Sequence, residues 1–156
     1  MENKYKENVS SIDAIIETLY SVISGQKGEK RDWDLFRYLF LEDAKCVLYE
    51  RDLEGIVRPR YLSPDDYVNG IGDWLENKRT TDFFENELHK TVEVFGPIAH
   101  GWSTYESFHS KEDEVPYMRG INSFQLLFHD NRWWIVNLYW TRETPQNPIP
   151  KKYLPK

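Results

Sequence analysis

The hydrophobic pattern of this chain of 156 residues changes once, near Arg79, and that change limits the folds open to it. Before Arg79 the apolar residues recur mostly at helical spacing, and after it they follow the alternation of half-buried strands. Short turns at 96–97 and 130–131 and a polar loop at 110–117 separate the later runs. The predicted strands of this second half span residues 83–95, 98–108, 119–129 and 132–141. Helices followed by an antiparallel meander indicate an α+β fold, with the helices packed on one face of a sheet.

Three helices are predicted in the first half, each from a start signal. Ser10 or Ser11 precedes an amphipathic stretch that ends at Ser24, and Asp32 can cap a second, short helix. The segment 63–66, Ser-Pro-Asp-Asp, combines a capping serine, a proline at the first helical position and two acids in the first turn, and its helix is expected to reach Lys78. Two early strands are expected at 44–49 and 57–62.

The two tight turns predict which residues face each other across the hairpins. A two-residue turn at 130–131 and another at 96–97 fix the pairing along each hairpin, and alternate side chains then point to the same face. The predicted pairs include Phe124–Asn137, Asn122–Tyr139, Lys90–Ser103 and Leu88–Tyr105.

In this register the inner face of the sheet is apolar at one end and polar at the other. The polar end has too many hydroxyl and amide groups for a dry core, because buried polar groups need hydrogen-bond partners. We expect it to line a ligand pocket, although a frayed sheet edge would show the same pattern. Arg119 could meet an anionic group of the ligand or could simply be a solvated arginine at the start of a strand. The candidate ligand-binding residues are Ser103, Tyr105, Arg119, Asn122, Asn137 and Tyr139.

The opposite face of the predicted sheet is too apolar to be solvated. Large exposed apolar patches usually mark an interface, so the simplest expectation is a homodimer formed through this convex face. The alternative is that the proline-rich C-terminal arm, residues 144–156, folds back over it. The residues assigned to this face are Trp102, Ile121, Leu127, Trp134, Val136, Leu138 and Trp140.

Three strand segments resemble the nuclear transport factor 2-like (NTF2-like) superfamily, and within it the polyketide-cyclase-like (SnoaL-like) group of small bacterial proteins. They are AHGWSTYE at 99–106, GINSFQL at 120–126 and WWIVNLYWT at 133–141. The resemblance implies one domain over residues 1–156, with its core at about 10–143. It further implies a cone-shaped barrel, in which a strongly curved, mainly antiparallel sheet wraps around N-terminal helices, and dimers formed through the convex face. Isomerase and dehydratase relatives place an aspartate, with or without histidines, inside the cone, and the predicted inner face contains neither.

Several functional classes find no support in the sequence. The net charge is −6, so duplex nucleic acid and anionic membranes are poor partners. The four histidines lack metal-ligand spacing, and Cys46 is the single cysteine. No nucleotide-binding or nucleophile motif occurs, so we expect no cofactor and no metal. With no signal-like or membrane-spanning stretch in the sequence, a cytoplasmic protein is expected.

These observations leave three hypotheses of different classes. The first is a small-molecule-binding protein whose cone accepts a small apolar or aromatic ligand. The second is a cofactor-independent isomerase, dehydratase or cyclase, in which a tyrosine or asparagine polarises a carbonyl and a carboxylate moves the proton. Asp43, Glu50 and Asp52 could supply that carboxylate from the pocket mouth. The third is a structural or protein-interaction module that acts through the convex face, and whether the chain is an enzyme is left open.

Overall fold

The α+β order predicted from the sequence is confirmed in the computed structural model, which describes residues 3–52 and 54–156. Two helices come first, and a third follows the two early strands and continues as π-helical turns at Val68–Gly72 and Trp74–Lys78. The helices are α1 (Ile12–Ile23), α2 (Trp33–Tyr38) and α3 (Pro64–Tyr67). The strands are β1 (Phe40–Arg51), β2 (Val57–Leu62), β3 (Phe84–Phe95), β4 (Ile98–Phe108), β5 (Met118–His129) and β6 (Arg132–Arg142). Short 3-10 turns lie at Lys6–Val9 and Lys151–Tyr153.

The helices begin where their capping residues place them. The Ser11 side chain accepts from the Ala14 N–H, and the Asp32 side chain accepts from the Leu35 N–H. Ser63 forms a reciprocal capping box with Asp66, with Pro64 at the first helical position. All three start signals read from the sequence are therefore confirmed.

The six strands form one open, mixed sheet in the order β2-β1-β6-β5-β4-β3. The neighbouring strands are antiparallel, except that β1 runs parallel to β6. The helices cover the inner face, and the hydrophobic core lies between them and the sheet. Fully buried core residues include Ile15, Ile16, Phe36, Leu39, Phe124 and Ile135.

A β-bulge in β6 overturns half of the register predicted for the last hairpin. The turn itself is as expected, with Asp130 and Asn131 both at positive φ, and the pairing holds as far as Leu126–Ile135. Beyond that point the register shifts, because Val136 is an extra residue in β6. The predicted pairs Phe124–Asn137 and Asn122–Tyr139 are therefore wrong: Phe124 faces Leu138, and Asn122 faces Trp140.

One inserted residue exchanges the two faces of a strand from that point on. Leu138 is consequently buried with 3% of its surface exposed, whereas Tyr139 is 48% exposed. Trp140 also lies on the inner face. The sequence predicted Leu138 and Trp140 on the convex face and Asn137 and Tyr139 on the inner face. The structure has the reverse arrangement.

A second bulge lies in β3 and brings two acids inward. The hairpin pairs Val92 with Gly101 and Lys90 with Ser103 as predicted. The register then shifts between Glu87 and His89, so Glu87 rather than Leu88 is opposite Tyr105. As a consequence, the alternation directs Glu87 and Glu85 toward the interior.

The C-terminal arm folds back over part of the convex face. The Thr104 hydroxyl donates to the Tyr153 carbonyl at 2.7 Å, and the Tyr153 ring lies 5.7 Å from the Trp102 ring. The Ile149 N–H donates to the Glu143 carboxylate at 2.8 Å and fixes the start of the arm. The C-terminal arm therefore covers the part of the convex face that β4 forms, as the alternative to a dimer predicted. Within residues 3–52 and 54–156, no helix is both long and apolar enough to cross a membrane.

Candidate functional site

A cavity of about 380 Å³ lies between the inner face of the sheet and the helices. Its apolar wall is largely aromatic, and its polar wall mixes carboxylates, guanidinium groups and neutral donors. The apolar wall includes Phe36, Leu48, Tyr67, Ile71, Trp74, Leu138 and Trp140. The polar wall includes Glu50, Arg60, Arg79, Glu85, Tyr105, Asn122 and Arg142.

Behind one end of this cavity, a chain of hydrogen bonds joins α1 to three strands. The Asn122 amide donates to the Tyr20 hydroxyl at 2.9 Å, and the Tyr20 hydroxyl lies 2.6 Å from the Ser103 hydroxyl. Ser103 gives its one hydrogen to the Glu87 carboxylate at 2.5 Å, so Tyr20 must donate to Ser103. Burial raises the pKa of Tyr20 and keeps it neutral. This network holds α1 against the sheet and fixes the Asn122 amide.

Tyr105 projects from the middle of β4 and is buried, but its hydroxyl has no hydrogen-bond partner in the described part of the chain. Its position depends on Gly120, the residue opposite it in β5. A Cβ at position 120 would overlap both the Tyr105 hydroxyl and the Thr141 carbonyl oxygen. Burial raises the pKa of Tyr105, so the group remains a proton-bearing donor at neutral pH.

Glu85 is one of the ionisable cavity groups that sequence reasoning missed, together with Arg60, Arg79 and Arg142. Its carboxylate accepts a hydrogen bond from the Ser107 hydroxyl at 2.9 Å and lines the cavity. Burial raises the pKa of Glu85 from 4.5 to about 7, and the negative charge of Glu50 adds to this effect. Glu85 faces inward because of the β3 bulge, and no local sequence signal marks that bulge.

The arginines of the cavity are held in different ways. Arg142 Nη2 lies 3.7 Å from Glu50 Oε2. The Arg79 guanidinium lies 5.0 Å from the Phe83 ring centroid and donates to the Tyr117 hydroxyl at 3.2 Å. The carboxylate of Glu50 thus positions Arg142 at the cavity wall, and the ring of Phe83 positions Arg79 there.

The structure brings together three of the six residues proposed from the sequence. Tyr105 and Asn122 line the cavity, and Ser103 lies behind it in the Tyr20 network. Arg119 pairs instead with Glu143, with Nη2 2.8 Å from Oε1.

Asn137 and Tyr139 lie on the convex face, in a groove of about 710 Å³ between the sheet and the C-terminal arm. This groove is mostly apolar and is bounded by Trp102 and Tyr153. The prediction that these two residues share a pocket with Asn122 is wrong, because the β6 bulge turns them outward.

The described residues contain no group of three or more histidine, cysteine, aspartate or glutamate side chains placed to hold a metal ion. His100 lies 3.0 Å from the Ser123 hydroxyl, and His109 stacks on Tyr117 with 3.7 Å between ring centroids. Burial raises the pKa of the Cys46 thiol to about 12, so it is not a reactive thiolate at neutral pH.

Comparison with solved structures identifies the fold. An NTF2-like protein of unknown function from Pseudomonas putida KT2440 is 12% identical, and the match covers 89% of this chain and 90% of that chain with a TM-score of 0.64. Another from Silicibacter pomeroyi DSS-3 is 20% identical, with coverage of 86% and 94% and a TM-score of 0.54. The chain has the NTF2-like fold. A protein of unknown function with a cystatin-like fold from Nostoc punctiforme PCC 73102 also matches, at 10% identity, with coverage of 86% and 95% and a TM-score of 0.61.

No protein-family model matches the sequence, and no curated protein matches it. The NTF2-like fold expected from the sequence is thus confirmed by shape, and the cavity is the interior of the cone-like sheet. At these identities the solved structures show the fold alone, so function has to be argued from the cavity itself.

We predict that Glu85→Gln changes how stability depends on pH. The unfolded chain releases the Glu85 proton near pH 4.5 and the folded chain near pH 7, so the folded state holds more protons between these values. The free energy of unfolding contributed by this group therefore falls as pH rises through this window. The melting temperature of Glu85→Gln minus that of the wild type should increase from pH 5 to pH 8 and level off above the folded pKa.

The matched control is Glu93→Gln, an exposed residue on the same strand. The difference between its melting temperature and that of the wild type should stay constant from pH 5 to pH 8. A constant difference for Glu85→Gln as well would show that folding does not raise the pKa of this carboxyl group.

Proposed function

We propose that this protein binds a small, partly aromatic organic molecule in the cavity inside the cone. The observation that carries the proposal is the buried Tyr105 hydroxyl, which has no partner among the described residues and stands in the wall of a cavity of about 380 Å³. Ligand sites are typically concave, mostly apolar and supplied with a few placed polar groups. A buried donor without a partner is costly, and a ligand oxygen would remove that cost.

The rigidity of the aromatic wall supports the proposal. The rings of Phe36 and Tyr67 stack with 4.7 Å between centroids, and Trp140 meets Tyr67 edge-on at 6.2 Å. Such contacts hold the rings in place before a ligand arrives, so little ordering is needed on binding. Asn122, held by Tyr20, adds a preoriented amide to this wall.

A tryptophan placed in the cavity should abolish binding. Ile71 lines the cavity from the helical side, and Ile71→Trp fills part of its volume. Asn69→Trp is the control, since Asn69 is exposed on the same helical segment. Titration of 2-naphthol, followed by isothermal calorimetry, should give saturable binding to the wild type and to Asn69→Trp and none to Ile71→Trp. Equal binding to both variants would place the probe outside the cavity and contradict the proposal.

A second candidate function, a cofactor-independent isomerase, dehydratase or cyclase, is favoured by the position and acidity of Glu85. A carboxyl group with a pKa of about 7 can both accept and return a proton at neutral pH. In this reaction Glu85 removes a proton from the carbon next to a ligand carbonyl, while Tyr105 donates a hydrogen bond to the carbonyl oxygen. The electron pair of the broken C–H bond forms the C=C bond of an enolate, and the C=O pair moves to the oxygen as its negative charge. In a ligand with a second C=C bond next to the carbon that lost the proton, Glu85 returns the proton to the far carbon of that bond, and the double bond has moved.

Proton exchange separates an enzyme from a binding protein. The wild type should accelerate exchange of the hydrogens next to the carbonyl of 2-tetralone in D₂O, followed by proton NMR. Glu85→Gln should slow this exchange by about 10²–10⁴-fold, the usual contribution of a general base. Tyr105→Phe should slow it by about 10²-fold, as expected for one lost oxyanion donor. Exchange at the same rate in wild type and Glu85→Gln would leave binding as the function.

The uncovered part of the convex face is proposed to form a homodimer. The C-terminal arm leaves Val136, Tyr139 and Tyr61 exposed on β6 and β2, and the two tyrosines line the groove. An apolar surface of this kind on both copies can form a self-complementary contact. A module that acts only through this face is less favoured, because the interior cavity is open rather than closed by side chains.

A charge on this face should separate the two copies. Val136→Asp should sediment as a monomer under conditions in which the wild type sediments as a dimer, because the contact would then bury an unpaired carboxylate. Val115→Asp, on an exposed loop, is the control and should leave the dimer intact. A dimer that survives Val136→Asp would place the interface elsewhere.

A further inference from the structure

The cavity carries an excess of positive charge, although the chain as a whole is acidic. Three arginines line it from three separate parts of the chain: Arg60 from β2, Arg142 from the end of β6, and Arg79 from the segment after the helices. Two carboxyl groups, Glu50 and Glu85, face them. The net formal charge of the whole chain is −6, so this local balance is opposite in sign to the molecule around it.

Within residues 3–52 and 54–156, Arg142 is the only one of the three arginines that has a carboxylate oxygen within 4 Å. Arg142 is close to Glu50 at 3.7 Å, which is longer than a hydrogen bond. Arg79 donates to the Tyr117 hydroxyl and the Asp82 carbonyl oxygen and lies 3.0 Å from His109 Nδ1, so its contacts are neutral. Glu50 can therefore offset one guanidinium charge but not three.

Arg60 is the least satisfied of the three. Its Nε is buried and has no hydrogen-bond partner in the described part of the chain. A buried guanidinium N–H without an acceptor loses its water without compensation. Arg60 pairs with Leu48 of β1, and the next inward residue of β1 is Glu50, which contacts Arg142. Arg60 and Arg142 thus enter the cavity from the two sides of β1, around its carboxyl end.

We infer that the ligand of this cavity is an organic monocarboxylate, whose carboxylate is bound by Arg60 and Arg142 while its apolar body lies against the aromatic wall. Guanidinium groups match the planar geometry of a carboxylate and bind it with charge-assisted hydrogen bonds. When Glu50 and Glu85 are both ionised, the three arginines leave the wall a formal charge of +1, which one carboxylate balances. This inference rests on the proposed binding function and adds the chemical class of the ligand.

A matched pair of probes separates the charge from the shape. 2-Naphthoate and 2-naphthamide have the same ring and nearly the same volume, and only the first carries a charge. We expect the wild type to bind 2-naphthoate about tenfold or more tightly than the amide, the size of effect typical of hydrogen bonds to a charged group. Arg60→Gln should remove this preference, and Arg60→Lys should keep part of it.

Arg58→Gln is the control, because Arg58 lies on the same strand but pairs with Asp52 at 2.9 Å. It should keep the full preference for the acid. Ile71→Trp should abolish binding of both probes and so locate them in the cavity.

The outcomes distinguish this inference from the function on which it rests. Equal affinity for acid and amide in the wild type, or an unchanged preference in Arg60→Gln, would overturn the inference and leave cavity binding standing. Tighter binding of 2-naphthyl phosphate than of 2-naphthoate would overturn the carboxylate assignment in favour of a phosphate. Failure of the wild type to bind any of the three probes would contradict the proposed function and the inference together.

Discussion

The side chains of β6 change faces at Val136, where this strand holds one residue more than its partner β5. This one residue decides which β6 side chains line the cavity. It turns Leu138 and Trp140 inward, where they form part of the apolar wall, and it leaves Asn137 and Tyr139 on the convex face. The bulge at Leu88 has the matching effect in β3 and turns Glu85 into the cavity wall. Two single-residue insertions thus add Leu138, Trp140 and Glu85 to the cavity wall, whereas uninterrupted strands would place Asn137 and Tyr139 there.

The sequence is informative where structure is decided locally. Ser11, Asp32 and Ser63 cap helices by bonding to residues three positions away, and Asp130 and Asn131 adopt the positive φ values of their tight turn. The bulges are set by packing between distant segments and leave no such local mark. The same is true of Tyr20, whose spacing predicts a helical core residue. Its hydroxyl finds its role only when α1 meets Ser103 and Asn122.

The polar groups inside the cone fall into two kinds, and the difference separates support from recognition. Tyr20, Ser103 and Glu87 form a bonded chain that Lys90 closes at 3.4 Å from Glu87, so their hydrogen-bonding capacity is spent on one another. Tyr105 and Arg60 are different, because each has a buried polar atom without a partner in the described residues. Satisfied networks rigidify a protein, whereas unsatisfied buried donors are expensive unless something else completes them. The residues that point most clearly to a ligand are therefore those whose buried polar atoms have no hydrogen-bond partner within the protein.

The parallel pairing of β1 with β6 has a consequence for how this protein is made. Leu48 of β1 lies beside Trp140 of β6. The first strand to be synthesised can therefore pair with β6 only after the last strand has been made. Contacts between such distant segments form slowly, because a long loop must close first. During synthesis, α1, α2 and the β1–β2 hairpin would leave the ribosome without the strand that joins them to the rest of the sheet. The cavity, whose walls come from both halves of the chain, can then form only in one late step, when β6 is inserted between β1 and β5.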